Sequence, residues 1–451
     1  MDIYKKTIYK KQKNNLLEET KSLCPTCMQI IPAYIYTDGS IVFMDKNCPI
    51  HGSFQGIVWS DYQLYQRSFQ FNREPTKPTM LTTSVVDGCP YDCGLCPEHK
   101  QHTCLAIIDV TDRCNLSCPV CLSSRSKNTN DPKIDVIESR LKKLFESEGK
   151  SVCIQLSGGE PTVRKDLVDI VKMVSDLGYT SIEIDTNGIE LAKKPTLAKD
   201  LADAGLTGVY LQFDGLKTET YEVIRGFGSN LLSFKNKAIK LARKADLEVA
   251  LAATIVKGIN DNQLWDIIKY ALKMDTKGVN FQPFAMLGRF PQKFSNRINK
   301  ITIPDVVKNI EIQSGCELKS EDFVPIPCPD NRCAVLSYSV IKSGKIIPIN
   351  RILGIENIID YYAEPADFNE LVKAANKLLF GSSKNSPQCC SASMNLLQGQ
   401  YFSIGCHGLQ DIWNLDLNRI KNCCVHRLTI EGKLVPFCLS KITSQNGEGL
   451  Y

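Results

Sequence analysis

The chain has no long apolar run and no secretion signal at its N-terminus. No stretch of about 18 apolar residues occurs, which excludes a helical membrane span. Residues 1–13 are basic and lack the apolar core of a signal peptide. A net charge of +5 is modest for 451 residues and gives no reason to expect a nucleic-acid partner. We therefore expect a cytoplasmic protein, whose lysine-rich start suits a solvated tail or peripheral contact with an anionic membrane surface.

Cysteine, in contrast, is abundant. The 20 cysteines fall into groups with C-x2-C and C-x3-C spacings and are not scattered along the chain. Without a secretion signal, such spacings indicate metal centres more than disulfides. The length and a hydrophobic content of 43% predict two or three domains with well-filled cores.

The most informative group is the segment from Cys114 to Cys121, which we call the cluster loop. Cys114, Cys118 and Cys121 have C-x3-C-x2-C spacing and follow the apolar run Leu105–Val110 directly. A cubane iron–sulfur cluster held by only three thiolates keeps one iron open to another molecule. The alternatives are a zinc site or a group of buried thiols.

A second motif follows the next apolar run, at the interval of one βα unit. This glycine turn consists of Ser157, Gly158, Gly159 and Glu160, and its glycines let the backbone approach a ligand closely. In this order, the cluster loop and the glycine turn resemble those of the radical S-adenosylmethionine (radical SAM) superfamily.

The resemblance implies a 4Fe-4S cluster held by the three cysteines of the cluster loop, with SAM on the open iron. The glycine turn would line the methionyl end of SAM. Reductive cleavage would give methionine and a 5′-deoxyadenosyl radical, which abstracts a substrate hydrogen. Many family members have an aromatic residue before the third cysteine. Here it is Val120, so packing against the adenine would be aliphatic.

Short apolar runs alternate with helix-period segments between Leu105 and Pro283, which is typical of a parallel βα sheet. The predicted strands are Leu105–Val110, Val152–Ser157, Ser181–Asp185, Gly208–Asp214, Leu247–Thr254 and Gly278–Gln282. The predicted helices are Lys133–Glu148, Lys165–Leu177, Thr196–Ala204, Leu231–Ala245 and Asn262–Met274. The fold class is therefore α/β, a partial (βα)6 barrel of the radical SAM type.

Polar residues follow the predicted strands at the end where βα-barrels place their sites. They include Asp185, Asn187, Asp214, Thr254 and Gln282. The resemblance implies that Asn187 and the residues around Asp214 and Arg225 approach the ribose and carboxylate of SAM. Each of them also suits an ordinary loop cap.

The N-terminal cysteines form a pair of metal knuckles across a hairpin predicted at Ile30–Tyr36 and Ile41–Asp45. The spacing C-x2-C-x20-C-x2-H indicates one mononuclear zinc or iron in a zinc-ribbon or rubredoxin-like domain, and the sequence does not choose between the metals. The four predicted ligands are Cys24, Cys27, Cys48 and His51.

Two further groups predict one or two auxiliary 4Fe-4S clusters. The first group lies just before the barrel, and its four cysteines suit a closed electron-transfer cluster or, alternatively, a structural zinc. It consists of Cys89, Cys93, Cys96 and Cys104. The second group follows the barrel and holds more cysteines than one cluster needs. It consists of Cys328, Cys333, Cys406, Cys423, Cys424 and Cys438.

These motifs predict four regions. Residues 1–70 form the metal-knuckle domain and 71–104 the auxiliary cluster segment. Residues 105–290 form the partial barrel, and 291–451 a C-terminal α+β extension that binds a further cluster.

This order of motifs resembles the tetraether lipid synthase branch of the radical SAM superfamily, in archaea, and its relatives. The resemblance runs from Leu23 to Cys438, and Gly88–Cys121 carries most of its specificity. It implies carbon–carbon coupling of archaeal lipid chains at unactivated methyl groups, with a lipid or small-molecule substrate and an electron donor such as a ferredoxin or flavodoxin. The alternatives are a radical SAM methyltransferase acting on a pterin precursor, a peptide-modifying enzyme, and a non-catalytic electron-transfer or zinc scaffold.

Overall fold

The computed structural model of the chain describes residues 15–123, 131–149, 152–326, 330–342, 344–357 and 400–451. Cys328 and the basic segment before residue 15 lie outside these ranges. Within them, every helix is too short or too polar to cross a membrane.

An antiparallel sheet forms the N-terminal unit, which we call the ribbon. Its strands pair in chain order, and the predicted hairpin is confirmed as the pairing of its second and third strands. The strands are β1 (Leu16–Leu23), β2 (Ile30–Thr37), β3 (Val42–Cys48) and β4 (Gly52–Trp59), and α1 (Tyr62–Ser68) follows. Helix α1 begins where the Asp61 carboxylate accepts a hydrogen bond from the Leu64 N–H at 2.6 Å.

Six parallel strands pair side by side in chain order and confirm the predicted partial barrel. They are β5 (Leu105–Thr111), β6 (Cys153–Gly158), β7 (Ile182–Thr186), β8 (Gly208–Gln212), β9 (Glu248–Ile255) and β10 (Gly278–Pro283). The helices between them are α2 (Ile134–Glu148), α3 (Leu167–Asp176), α4 (Ile189–Lys193), α5 (Leu197–Asp203), α6 (Thr218–Arg225), α7 (Leu231–Lys244) and α8 (Leu264–Lys273). The five predicted helices are confirmed, and α4 and α6 are additional short ones.

Alternating side chains explain why strands and helices pack in this way. On β7, Ile182 and Ile184 are buried in the main core, whereas Glu183 and Asp185 between them point away from it. Helix α8 buries Leu264, Ile267, Ile268 and Ala271, which lie on one face at helical spacing. The strands therefore bury apolar side chains under the helices and direct polar ones into the barrel interior.

The chain after the barrel adds strands to both edges of the same sheet. Strand β14 pairs parallel to β10, and β15 pairs parallel to β5. With the strands whose ranges follow, the full order of the sheet is β11-β12-β14-β10-β9-β8-β7-β6-β5-β15-β16, and β13 pairs with β12. The strands are β11 (Val324–Pro325), β12 (Ala334–Lys342), β13 (Lys345–Pro348), β14 (Gln400–His407), β15 (Val425–Leu428) and β16 (Leu434–Pro436). The helices are α9 (Ile303–Gln313), α10 (Ile349–Leu353), α11 (Leu417–Ile420) and α12 (Phe437–Lys441).

Candidate active site

The cluster loop leaves the carboxyl end of β5 and is fixed by backbone hydrogen bonds. The Val120 N–H donates to the Ile224 carbonyl at 3.1 Å, and Cys121 and Arg289 exchange backbone hydrogen bonds of 2.9 Å in both directions. The loop is therefore held by elements from the far side of the barrel.

All three thiols of the cluster loop are part-exposed and lie close enough to affect one another electrostatically. Burial raises the pKa of Cys114 to about 11, and Cys118 and Cys121 add to the rise. Part-exposed thiols from one loop, at the end of a parallel strand, are the donor set that an iron–sulfur cluster requires. The residues present therefore fit a three-cysteine cluster.

The glycine turn packs directly on the backbone of residues 111–113, which lead from β5 into the cluster loop. The Gly159 N–H donates to the Thr111 carbonyl at 2.7 Å, and the Glu160 N–H donates to the Arg113 carbonyl at 2.9 Å. A Cβ on Gly158 would lie 2.2 Å from the Thr111 oxygen, and one on Gly159 would lie 2.3 Å from the Arg113 oxygen. Only glycine permits this approach, so the turn holds the start of the cluster loop in place.

Glu160 has a different environment from the one that the sequence predicted. Its buried carboxylate accepts hydrogen bonds from the Thr186 hydroxyl at 2.6 Å, the Asn187 N–H at 2.7 Å and the Thr162 N–H at 3.1 Å. The side chain is thus saturated by the protein and fixes the carboxyl end of β7. Asn187 in turn donates through Nδ2 to Asn115 of the cluster loop at 2.7 Å. We therefore regard Glu160 as a positioning residue.

Asp214 and Arg225 form a buried ion pair beside the cluster loop. Arg225 donates to both carboxylate oxygens of Asp214, at 2.6 and 2.7 Å, and to the Val120 carbonyl at 3.2 Å. Burial opposes the charge, but Asp214 holds the pKa of Arg225 above its usual value. Arg225 also counteracts the rise that burial causes in the pKa of Cys118. The pair therefore holds the Arg225 guanidinium beside the Cys118 thiol, where it offsets the opposite effect of the Asp214 carboxylate.

Lys235 is a buried charge that the sequence did not reveal. It is 0% exposed, and its Nζ donates to the Asn187 carbonyl and to Gln212 Oε1 at 2.5 and 2.7 Å. Burial lowers its pKa to about 7. In the sequence, nothing marks this lysine of an amphipathic helix pattern as buried, because its partners Asn187 and Gln212 lie in distant parts of the chain.

The four predicted ligands of the ribbon come together. Their donor atoms all lie within 4.8 Å of one another, with Nδ1 of His51 3.5 Å from the Cys48 sulfur and 3.7 Å from the Cys24 sulfur. Three thiols and one imidazole suit a tetrahedral structural site for one metal ion.

Cys27→Ser should remove one metal equivalent from the purified protein and destabilise residues 16–60, because metal binding supplies much of the folding free energy of such small units. Elemental analysis and thermal unfolding test this. Cys316→Ser is the matched control, since that cysteine is exposed and lies away from the knuckles. Unchanged metal content in Cys27→Ser would contradict the assignment.

The first auxiliary group is only partly assembled. Cys89, Cys93 and Cys96 line one cavity together with Glu98, His99 and Lys421, among other residues. Cys104 is not among the lining residues, and its sulfur lies 3.3 Å from His102 Nε2. The structure thus does not bring the predicted fourth ligand to this cavity.

The second auxiliary group separates into members that converge and members that do not. Burial raises the pKa values of Cys423 and Cys438, and both cysteines lie close enough to Cys333 for it to add to that rise. Arg419 donates to the Cys333 sulfur at 3.1 Å. Cys406, in contrast, is buried in the main core, because alternation on β14 directs it toward the helices. Its inclusion among the ligands is therefore not supported. Cys424 adjoins Cys423 and is buried.

The fold and this site define a βα-barrel iron–sulfur protein. The profile of the radical SAM superfamily matches residues 108–271, and that of the "HMPTM N-terminal zinc ribbon domain" matches residues 16–60. The chain is 35% identical to the 7,8-dihydro-6-hydroxymethylpterin dimethyltransferase of Methanocaldococcus jannaschii, over 93% of this chain and 92% of that protein. The chain belongs to the radical SAM superfamily and is a radical SAM enzyme.

Other similarities are partial. A probable GTP 3′,8-cyclase of Pyrococcus abyssi is 34% identical over 37% of this chain and 53% of its own length. The crystal structure of Streptococcus suis SuiB bound to S-adenosylmethionine has 15% identity and a TM-score of 0.40, covering 47% of each chain.

Proposed function

We propose that the protein is a radical SAM methyltransferase that acts on a reduced pterin. The observation that carries this proposal is the identity with the M. jannaschii pterin dimethyltransferase along almost the whole length of both chains. That similarity includes the ribbon, the barrel and the C-terminal extension, whereas the GTP 3′,8-cyclase is similar over a part of the chain only.

The residues of the site support the radical step. When bound, a 4Fe-4S cluster and SAM supply a 5′-deoxyadenosyl radical that removes a hydrogen atom from the substrate. The cluster loop offers three thiols for the cluster, and Arg225 fixes a positive charge beside Cys118. The glycine turn contacts the backbone that leads into the cluster loop. Glu160 accepts from the Asn187 N–H and so holds Asn187 beside that loop. These contacts position the site before any ligand arrives.

Methylation defines what the reaction consumes. Each new methyl group replaces one substrate hydrogen, which leaves in 5′-deoxyadenosine. An electron donor, such as a ferredoxin or flavodoxin, must supply one electron to the cluster for each cleavage. A second molecule of SAM or another one-carbon compound must donate the methyl group, and a methyl group that SAM transfers as a cation to the substrate radical consumes one further electron from the same donor.

We infer auxiliary iron–sulfur clusters at the two further cysteine groups. The convergence of Cys333, Cys423 and Cys438 supports one of them, and the cavity lined by Cys89, Cys93 and Cys96 supports the other. Cys328 precedes Cys333 by five positions and is available in the chain as a further ligand, but it lies outside the described residues.

Lipid-chain coupling remains the second candidate. It rests on the resemblance of Gly88–Cys121 to tetraether lipid synthases, and the comparisons support the pterin better. The described structure offers one feature that would suit it, an apolar cluster next to the cluster loop. This cluster includes Val120, Phe284 and Met286.

The test is one anaerobic reaction with two substrates in separate arms. Reconstituted protein, reductant, SAM with a deuterated methyl group and unlabelled methylenetetrahydrofolate, as an alternative one-carbon source, are incubated with 6-hydroxymethyl-7,8-dihydropterin or with archaeal diether lipid. We expect methylpterin together with 5′-deoxyadenosine in the first arm, and the presence or absence of deuterium in the new methyl group identifies its donor. Mass spectrometry detects both products.

Reactions without reductant are the control, and they should yield neither product. Coupled lipid in the second arm with unmodified pterin in the first would replace the proposal by lipid coupling. The absence of 5′-deoxyadenosine in both arms would contradict both.

A further inference from the structure

The barrel interior carries a row of polar side chains on four neighbouring strands. Asp109 on β5 pairs with Ser157 on β6, and Asp185 on β7 pairs with Tyr210 on β8. Between these pairs, the Ser157 hydroxyl donates to Asp185 Oδ2 at 3.1 Å. The row is therefore continuous from β5 to β8.

The row continues onto the strands at either side. Arg427 on β15 forms an ion pair with Asp109 at 2.6 Å. On the opposite side, Gln282 on β10 donates to the Tyr210 hydroxyl at 3.0 Å, and Asn280 Oδ1 lies 2.6 Å from Nδ1 of His407 on β14. We call this set the polar ring; its members are Asp109, Ser157, Asp185, Tyr210, Asn280, Gln282, His407 and Arg427.

The polar ring encloses a space that solvent reaches. Apart from Ser157, its members are part-exposed, although strands surround them on most sides. Strand β9 contributes only the small side chains of Ala250 and Ala252 at this level. These alanines leave room for the Tyr210 side chain, which crosses β9 to bond to Gln282 and Asn280 on β10, so its part-exposed ring gives the interior an aromatic surface on which a flat molecule can stack.

Two carboxylates have acceptor capacity left over. Among the described residues, one protein donor reaches each of them: Ser157 donates to Asp185 Oδ2, and Gln155 Nε2 donates to Glu183 Oε1 at 2.7 Å. Each keeps one oxygen for a ligand. Asp185 also immediately precedes Thr186, which bonds to Glu160 of the glycine turn. Asp185 is therefore one residue away in the chain from a side chain that contacts the glycine turn.

We propose that the polar ring is the substrate site and that Asp185 and Glu183 accept the two parallel N–H donors of a 2-amino-4-oxopyrimidine edge, as found in pterins. This inference rests on the proposed function and deepens it. Each carboxylate offers its remaining oxygen to one of these donors, and a hydrogen bond to an ionised acceptor is stronger than one to a neutral acceptor. A saturated hydrocarbon chain would cover these two oxygens without offering them a donor, which is unfavourable.

The protonation of Asp185 provides a further readout. Burial raises its pKa to about 6, and it raises that of Glu183 to about 7. Both carboxylates accept an N–H donor most strongly when ionised, so the KM for the pterin should fall as the pH rises through these values. The charged and titratable groups that face Asp185 are Asp109, Glu160, Glu183, Tyr210 and Arg225.

The test compares Asp185→Asn with the wild-type holoenzyme. The substrates are 6-hydroxymethyl-7,8-dihydropterin and the corresponding lumazine, which carries a carbonyl oxygen in place of the 2-amino group. We expect Asp185→Asn to raise the KM for the pterin about 30-fold, as for a lost hydrogen bond to a charged group. We also expect it to weaken the preference for pterin over lumazine and to leave only the pH dependence of KM that Glu183 contributes.

Asp176→Asn is the matched control, because that carboxylate is exposed on α3 and forms only a surface ion pair. Glu183→Gln provides a second variant should Asp185→Asn fold poorly. If the wild-type enzyme methylates the pterin and both variants have a KM for it within twofold of the wild-type value, the polar-ring proposal is wrong and the proposed function stands. The opposite result is also distinguishable. If wild-type protein binds the pterin in equilibrium dialysis but does not methylate it, and Asp185→Asn weakens that binding, the proposed function is wrong and the polar-ring proposal stands.

Discussion

Gly159→Ala should lower 5′-deoxyadenosine formation by at least about 100-fold, the effect expected when reacting groups are displaced by about 1 Å. The new Cβ would lie 2.3 Å from the Arg113 oxygen, 2.7 Å from the Arg113 carbonyl carbon and 2.8 Å from the Asp112 oxygen. All three are backbone atoms, so a side-chain rotation cannot relieve the overlap. The start of the cluster loop must move instead, and Cys114 moves with it.

Product formation and iron content per chain check this expectation. Gly208→Ala is the matched control, because its Cβ would meet its nearest neighbours at 3.6 and 3.7 Å, which is ordinary contact. If both variants have the wild-type rate and a full iron content, the glycine turn does not position the cluster loop.

Arg225→Met should destabilise the protein by about 3–5 kcal/mol, because it leaves a buried carboxylate without its counter-charge. Asp214 is 0% exposed, and both of its oxygens accept from Arg225. The substitution also removes the donor to the Val120 carbonyl and the positive charge beside Cys118. We therefore expect loss of 5′-deoxyadenosine formation together with the loss of stability, measured by urea denaturation under anaerobic conditions.

Two further variants separate charge from position. Arg243→Met removes an exposed ion pair with Asp275 and should cost no more than about 1 kcal/mol. The double variant Arg225→Met with Asp214→Asn no longer buries a lone charge and should recover much of the stability, but not the activity. Activity that returns with stability would show that Arg225 acts through folding alone.

The barrel was accessible from sequence because its signals are local. Each strand is a short apolar run, and each is followed within a few residues by polar or glycine-rich loops, so both ends can be placed. The ribbon ligands are equally local, since four donors flank one hairpin. The cluster loop and glycine turn likewise combine a strand with a motif directly after it.

Other features depend on contacts between distant segments. The parallel pairing of β14 with β10 joins residues far apart in the chain, and no pattern in either strand specifies its partner. Cys104 and Cys406 show the same difficulty in the site. The cysteine spacing suggested both as ligands. In the fold, however, Cys104 lies against His102 and Cys406 lies in the core, and the spacing carries no information on these contacts.

The polar ring lies between these cases. Alternation in β7 and β10 places polar residues at every second position, so a polar interior could have been inferred from Glu183, Asp185, Asn280 and Gln282. Which of these residues meet across the barrel could not be inferred, because the register between strands decides their neighbours. Lys235 had no signal at all, since both of its partners become neighbours only after folding.

The pairing of β14 and β15 with the barrel edges also affects biosynthesis. Until residues 400–428 leave the ribosome, β10 and β5 present open edges to other chains, and unpaired strand edges promote aggregation. The late cysteines Cys423 and Cys438 emerge at the same stage. Closing the sheet and completing the proposed auxiliary ligand set thus both wait until residues 400–438 have been made, and a nascent chain that is stalled earlier should depend on chaperones.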